Sequence, residues 1–232
     1  MTKEKRTLIY ENNLASMEDI RGFQLEGQAK ISFPNGRMRM ENSLDESLGQ
    51  MANYVFWCPE EFPGDIQVEW DFWPVKEPGL SMMFFAAAGM NGEDLFDPIL
   101  NERYGQYEQY THGDIRTLHI AYFRRRYPEE RSFHLCNLRK SSGFHLVAQG
   151  ADPIPNVEDC MPPYHLMLRK QGAKVHFAIN ELPILEWEDD GRTFGPILGS
   201  GKIGFRQMAP LIAEYANLQV YRLDEDGTTR KI

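Results

Sequence analysis

Glu69, Asp71 and Trp73 alternate within Gln67-Val-Glu-Trp-Asp-Phe-Trp-Pro74. An extended strand therefore turns them to one face and Val68, Trp70 and Phe72 to the other. Two carboxylates beside an indole suit the floor of a sugar-binding groove, because carboxylates accept from hydroxyls and move protons while the ring stacks on a pyranose. A plain solvated strand face is the competing reading. Glycoside hydrolysis needs two carboxyl groups about 5–5.5 Å apart for retention or roughly 6.5–9.5 Å for inversion. Residues two apart on a strand lie about 6.6–6.8 Å apart at the backbone, so Glu69 and Asp71 are neighbours rather than groups flanking a bond. Glu108, in Tyr107-Glu-Gln-Tyr110, is the candidate partner if its loop folds over the groove.

Acid-sugar chemistry draws on other residues. Elimination or hydration at a uronic acid needs a cation to hold the carboxylate and a Tyr or His to move a proton. His119 shares a strand face with Thr117, Ala121 and Phe123, opposite Leu118, Ile120 and Tyr122, with His112 before it and Arg124 after it. Asn137 and Arg139 share another face, His145 alternates with Val147 and Gln149, and Arg206 falls opposite the core pair Ile203 and Phe205. Asp71, Glu108 and His119 are thus the candidate catalysts. Glu69, Trp73, Tyr110, His112, Arg124, Asn137, Arg139, His145 and Arg206 are the candidate binding residues, with Trp73 and then Tyr110 as stacking platforms. Each has a structural counterpart: a lone strand histidine is commonly a hydrogen-bonded packing residue, Arg124-Arg-Arg126 reads as a solvated edge or turn, and Trp57, Trp70 and Trp187 read as core.

The elements that must position these groups are mostly strands. After a helix-like patch around Ser16-Met-Glu-Asp-Ile-Arg, short alternating runs are separated by Gly, Pro, Asn and Asp, the punctuation of antiparallel sheets. Pro34-Asn-Gly36 between two such runs predicts a hairpin. Further strands are expected over 53–58, 65–75, 80–88, 114–124, 132–140, 144–149, 164–170, 174–179, 183–188, 202–208 and 213–222. Residues 89–110 break the pattern and predict a long, ordered loop rich in aromatic residues that lines a site. Roughly a dozen short strands and scarcely a helix predict a two-layer β-sandwich, here taken as one domain over residues 1–232.

The 232 residues carry 25 Lys and Arg against 34 Asp and Glu, a formal net charge of −9. Broad electrostatic capture of nucleic acid or an anionic membrane is not expected. Cys58, Cys136 and Cys160 are odd in number and far apart, which argues against a disulfide framework or a zinc site. Asn91-Gly-Glu-Asp94 and Asp97 offer oxygen ligands but their spacing matches no EF-hand loop, and no phosphate-binding Gly-rich loop points to a nucleotide. No metal or cofactor is expected. Without an apolar leader or a membrane-spanning run, a cytoplasmic protein is expected, and pairing through flat sheets or edges makes a homodimer possible.

Gly201-Lys-Ile-Gly-Phe-Arg206 and Tyr215-Ala-Asn-Leu-Gln-Val220 resemble the closing strands of concanavalin-like jelly rolls, and Asn180-Glu-Leu-Pro-Ile with Trp187-Glu-Asp-Asp190 resembles the hairpin before them. Glu69-Trp-Asp-Phe-Trp-Pro74, Tyr107-Glu-Gln-Tyr110 with His112-Gly-Asp114, Asn137-Leu-Arg-Lys140 and Phe205-Arg-Gln-Met-Ala-Pro210 together resemble the YesU-like family over nearly the whole chain. That resemblance implies a galectin-like β-sandwich and a link to breakdown of pectin-type polysaccharides. Glu69-x-Asp71 is also similar to half of the catalytic strand motif of laminarinase-like glycoside hydrolases, but Trp73 stands where their acid/base Glu would be. The expected function is a carbohydrate-active protein, a glycoside hydrolase or a lyase or dehydratase, acting on short uronate-containing oligosaccharides in a concave-sheet groove. A lectin-like binding protein using the same groove, and a sandwich with no sugar site, are the alternatives.

Overall fold

The computed structural model describes residues 6–224. Fifteen strands are found among them: β1 (Arg6–Asn12), β2 (Gln24–Gly27), β3 (Ala29–Ser32), β4 (Met38–Asn42), β5 (Tyr54–Trp57), β6 (Ile66–Lys76), β7 (Leu80–Gly89), β8 (Ile115–Tyr122), β9 (Leu135–Ser141), β10 (His145–Ala151), β11 (Tyr164–Gln171), β12 (Lys174–Ile179), β13 (Leu182–Glu188), β14 (Lys202–Met208) and β15 (Ile212–Leu223). Two short helices, α1 (Glu108–Thr111) and α2 (Pro128–Ser132), complete the regular structure beside 3-10 turns. Sheet A runs β13-β12-β11-β6-β15-β4-β3, with β1 also on β15, and sheet B runs β10-β9-β8-β7-β14-β5-β2. All these pairings are antiparallel. The expected jelly-roll β-sandwich is therefore what forms.

Alternation builds the core. Val68, Trp70 and Phe72 from sheet A meet Met83, Phe85, Leu118, Ile120, Tyr122, Ile203 and Phe205 from sheet B in one buried cluster. Polar groups inside it are matched across the sheets: Trp70 Nε1 donates to the Tyr122 hydroxyl at 3.1 Å, and the Tyr215 hydroxyl lies 2.8 Å from Ser81 Oγ. The Gln207 side-chain amide sits between the hydroxyls of Tyr54 and Tyr215, 2.5 and 2.8 Å away. Buried polar groups satisfied in this way fix one sheet against the other.

A second apolar layer lies on the far side of sheet B. Val55, Trp57, Phe84 and Ala87 project away from the main core and are buried under Leu95 and Tyr110, with Phe96 and Leu100 alongside. These covering residues come from the segment 90–114, which includes nearly all of the loop predicted over 89–110 and crosses the sheet as a strap. The approach is close: Arg206 neighbours Gly204 on β14, and a Cβ on Gly204 would stand 2.4 Å from the Trp57 indole.

Four local expectations are corrected. Residues 17–22 form turns, not helix, because Asn12 Oδ1 accepts the Leu14 N–H at 2.8 Å and Asp19 Oδ2 the Ala15 N–H at 2.9 Å, an alternative that short polar side chains offer the backbone. Phe123 does not continue the outer face of β8: a positive φ of 48° turns its ring into the main core. Arg125 is no solvated edge residue, for it is fully buried and pairs with Asp152 at 3.3 Å. The strand expected from Ser132 begins at Leu135, since Pro128–Ser132 is helical and Glu130 Oε2 accepts the N–H groups of Arg126 and Tyr127 at 3.0 and 3.1 Å.

Gly204→Val tests the second layer. Its side chain must displace the indole of Trp57, and overpacking of this kind destabilises by about 1–3 kcal/mol; urea denaturation of the variant should show that loss, and an unchanged midpoint would mean that the strap yields.

Candidate functional site

The nominated residues fall on opposite sides of the sandwich. Glu69, Asp71 and Trp73 lie on the outer face of sheet A, because Val68, Trp70 and Phe72 on the same strand fill the core. His119, Asn137, Arg139 and Arg206 lie on the outer face of sheet B, and Glu108, Tyr110 and His112 come from the strap. One ligand cannot touch both sets.

On sheet A every nominated group already has a partner. Asp71 Oδ1 lies 2.9 Å from His165 Nδ1 and Oδ2 accepts from Asn217 Nδ2 at 2.7 Å. Burial pushes the Asp71 carboxyl up, but these hydrogen bonds and the His165 charge outweigh it and hold it below its ordinary value. Glu69 accepts from Arg6 and, at 2.5 Å, from Gln67. The Arg37 guanidinium covers the Trp73 ring, 4.5 Å from its centroid, and also pairs with Glu214, as does Arg39. This face is a closed ionic lattice, so Trp73 does not offer its free ring and the two carboxylates are committed.

The outer face of sheet B is different. Strand register places Arg139, His119, Phe84, Gly204 and Trp57 in one row across β9, β8, β7, β14 and β5, and Gln149, Asn137, Ala121, Met82 and Arg206 in the next. His119 is fully buried, and its Nε2 lies 2.5 Å from the hydroxyl of Tyr107; Nδ1 has no partner. Burial, reinforced by the charges of Arg139 and Arg206, pulls the His119 pKa down to about 3, so the ring is a neutral imidazole near neutral pH. Burial likewise pushes Tyr107 up to about 12, against the pull of Arg206, Arg139 and Arg124. Tyr107 is the residue whose role sequence reasoning missed; the signal was its place in the tyrosine-rich segment, but nothing local tied it to His119.

Arg206 does not reach an open groove. It is fully buried, donates to Gly105 O at 2.7 Å and Gln50 Oε1 at 3.2 Å, and lies beneath the rings of Tyr107 and Tyr110. Tyr110 is fully buried too, donating to Glu26 Oε2 at 2.7 Å, so it holds the strap and has no free face for stacking. Arg139 is half-buried, stacks on Phe144 at 3.7 Å and donates to Phe144 O at 3.1 Å. Neither Arg139 nor Arg206 has a carboxylate within ion-pair distance among the described residues, whereas Arg124 pairs with Glu130 at 2.7 Å. Asn137 sits 2.8 Å from the Gln149 amide and 3.2 Å from Arg124 Nη1. His145 leaves this face: a bulge between Leu146 and Ala148 breaks the alternation, Val147 packs on the core, and the imidazole stacks on Phe194 at 4.3 Å.

Above Tyr107 opens a cavity of about 480 Å³ lined by Gln50, Gln106, Tyr107, Glu108, Thr111, His112 and Phe144. Glu108 and His112 are exposed in its wall. No group of three His, Cys, Asp or Glu side chains able to hold a metal occurs among the described residues, and no described helix is long and apolar enough to cross a membrane. The arrangement thus combines two guanidiniums with no ion-pair partner among the described residues, a buried Tyr–His pair and a cavity with polar walls.

The titration of His119 is testable. Its folded pKa of about 3 lies below the ordinary 6.5, so between these values the unfolded chain binds the proton and the folded one does not. Its contribution to stability is complete above 6.5 and is lost as the pH falls towards 3, at up to about 1.4 kcal/mol per pH unit. His119→Phe should remove that slope, read as the wild-type-minus-variant difference in urea stability across this window; a constant difference would show that the imidazole is charged in the folded protein.

Comparison with known proteins agrees with the fold. A Bacillus subtilis (strain 168) protein, YesU, is 54% identical over 214 residues, covering 92% of this chain and 95% of its own. The crystal structure of a B. subtilis protein with a galectin-like fold superposes with a TM-score of 0.91 at 53% identity, over 96% of this chain and 98% of that one. Much more distant is the κ-carrageenase of Pseudoalteromonas carrageenovora in complex with an oligotetrasaccharide of κ-carrageenan: TM-score 0.58, 9% identity, 96% and 97% covered. Residues 7–220 match the family described as a domain of unknown function, DUF1961, and it is to this family that the chain belongs.

Proposed function

We propose that this is a carbohydrate-active protein that takes a uronate-containing oligosaccharide on the outer face of sheet B. The observation that carries the reading is the pair of guanidiniums, Arg139 and Arg206, set around His119 with no carboxylate within ion-pair distance among the described residues, Glu26 acting on Arg206 only from further off. A buried or half-buried charge without a partner is destabilising, and an anionic ligand would supply the missing charge. Arg139 is the exposed member of the pair and the one able to meet a sugar carboxylate in a bidentate manner. A sugar is favoured over other anions by fold analogy with the κ-carrageenase complex, which is support from architecture alone, and by the hydroxyl-binding groups Gln50, Gln106, Glu108 and His112 in the cavity wall.

The Tyr107–His119 contact of 2.5 Å favours an enzyme over a lectin. In an elimination, the proton on the carbon beside the carboxylate passes to the Tyr107 oxygen as that oxygen hands its own proton to His119 Nε2. The β C–O bond then breaks, and the departing oxygen takes the proton from the Tyr107 hydroxyl as His119 Nε2 returns its proton to Tyr107. A carboxylate on Arg139 offsets part of the positive field that depresses His119, so substrate binding itself improves the proton acceptor. Asp71, on the opposite face, takes no part in this reading, and Glu108 contributes hydroxyl contacts.

Purified protein incubated with neutral and uronate-containing oligosaccharides should discriminate only in favour of the acidic set. Thermal shift would read binding, and product mass with the ultraviolet absorbance of an unsaturated uronate would read elimination. Arg139→Ala should weaken binding by about ten- to a hundredfold, since a hydrogen bond to a charged group contributes about 1.5–3 kcal/mol. Tyr107→Phe should abolish turnover and leave binding in place. Binding without turnover in the wild type would establish the lectin-like alternative, and equal response to neutral sugars would exclude Arg139 as the anchor.

A further inference from the structure

The strap that covers sheet B also terminates the site. A polysaccharide lying in an open groove would cross all the strands of a sheet, yet of the row Arg139, His119, Phe84, Gly204 and Trp57 only the Arg139 end is accessible; Phe84 and Trp57 are fully buried under the strap. The cover is fastened at several points. Arg206 Nη1 holds Gly105 O at 2.7 Å, and Glu26 on β2 receives the Tyr110 hydroxyl at 2.7 Å and Arg103 Nη2 at 2.7 Å. Arg103 Nη2 also donates to Leu95 O at 2.8 Å. At Gly105, φ is +84° and a Cβ would stand 2.1 Å from Asn53 O, so the strap backbone rests directly on the chain below. Lifting it would strand buried charges at Arg103, Glu26 and Arg206, a penalty that holds it down.

The cavity is built against this barrier. Of its lining only Phe144 comes from the sheet B hairpin, while Gln106, Tyr107, Glu108, Thr111 and His112 belong to the strap. Gln50 closes the lining: its Oε1 accepts from Asn53 Nδ2 at 2.9 Å, Arg206 Nη2 at 3.2 Å and the Tyr107 N–H at 3.3 Å. A volume of about 480 Å³ lies within the roughly 300–1,000 Å³ that house a small ligand. The side chains at the barrier are polar, and hydroxyls of a terminal sugar ring are what they can meet.

We infer that the site recognises a chain end: the terminal units of an acidic oligosaccharide enter the cavity and stop against the strap, and the interior of a polymer is excluded. This rests on the sugar-acid reading above and makes the strap its length-selecting element.

The test compares di-, tri- and tetra-oligouronates and the parent polygalacturonate at equal concentration of chain ends, with and without chemically capped termini. Calorimetry would follow binding, and polymer viscosity together with product size would follow action. End recognition predicts affinity per chain end constant within about twofold (about 0.4 kcal/mol) beyond the trimer, loss of binding on capping, and unsaturated ends released while viscosity holds. A rapid fall in viscosity, or affinity that keeps rising with length and survives capping, would overturn end recognition and leave the sugar-acid reading standing. Failure of every acidic oligomer to bind would overturn both.

Discussion

A strand buried along its whole length cannot lie where its sheet has a wet face. All ten residues of β7 are buried, those pointing inward against sheet A and those pointing outward beneath residues 90–114. Antiparallel sheets usually leave one face to solvent; sheet B is, Arg206 apart, largely apolar on both sides over its β5, β14 and β7 portion and so has to be covered twice. The strap exists to satisfy that requirement, and its path decides the rest of the site. In crossing the sheet it brings Tyr107 onto His119 and raises α1 as a wall.

The polar anchors follow from the same constraint. A cover made of loop carries backbone carbonyls and N–H groups into a dry layer, where each must find a partner. Arg206 donates to Gly105 O and Gln50 Oε1 accepts the Tyr107 N–H, and Glu26 gathers the Tyr110 hydroxyl and Arg103. A buried guanidinium serves well here because its fork of donors can hold several acceptors at once. The consequence is an electrostatic imbalance, since Arg206 satisfies carbonyl oxygens and not a carboxylate. Sheet A carries the opposite solution: Glu69, Asp71 and Glu214 are each matched by Arg6, His165 or the Arg37–Arg39 pair. On one face of the sandwich these carboxylates are paired with cations, and on the other the guanidiniums of Arg139 and Arg206 stand over a neutral imidazole.

Much of this was readable beforehand, and the exceptions share a cause. The run Leu80-Ser-Met-Met-Phe-Phe-Ala-Ala-Ala-Gly89 has no polar alternate positions, and that absence is the sequence sign of a doubly covered strand. The outward placement of His119 and Arg206 followed from strict alternation on β8 and β14. Alternation failed where the backbone departs from a regular strand: at Phe123, where a positive φ reverses the side chain, and at His145, where a bulge shifts the register. One residue of slip exchanges the two faces of a strand, and neither event has a strong local sequence signature. The first two strands escaped notice for a different reason, because none of the residues of β1 and β2 is buried and so no apolar alternation marks them.

The sequence by itself determined the class of fold and the identity of the two faces of most strands, since both depend on period-two patterning and on turn residues that act over a few positions. It also contained every group that now forms the cavity. Which groups meet was decided only by tertiary structure. Glu108 looked like a partner for Glu69 and Asp71, and His119 like an alternative catalyst in the same groove, yet Glu69 and Asp71 sit on the far sheet, because their strand, β6, joined sheet A while β8 joined sheet B. Tyr107 and His119 are twelve residues apart with nothing local to couple them, and their contact exists because the strap between β7 and β8 folds back over the sheet that both strands build. Long-range pairing and the burial of a second apolar face, not local propensity, place the site.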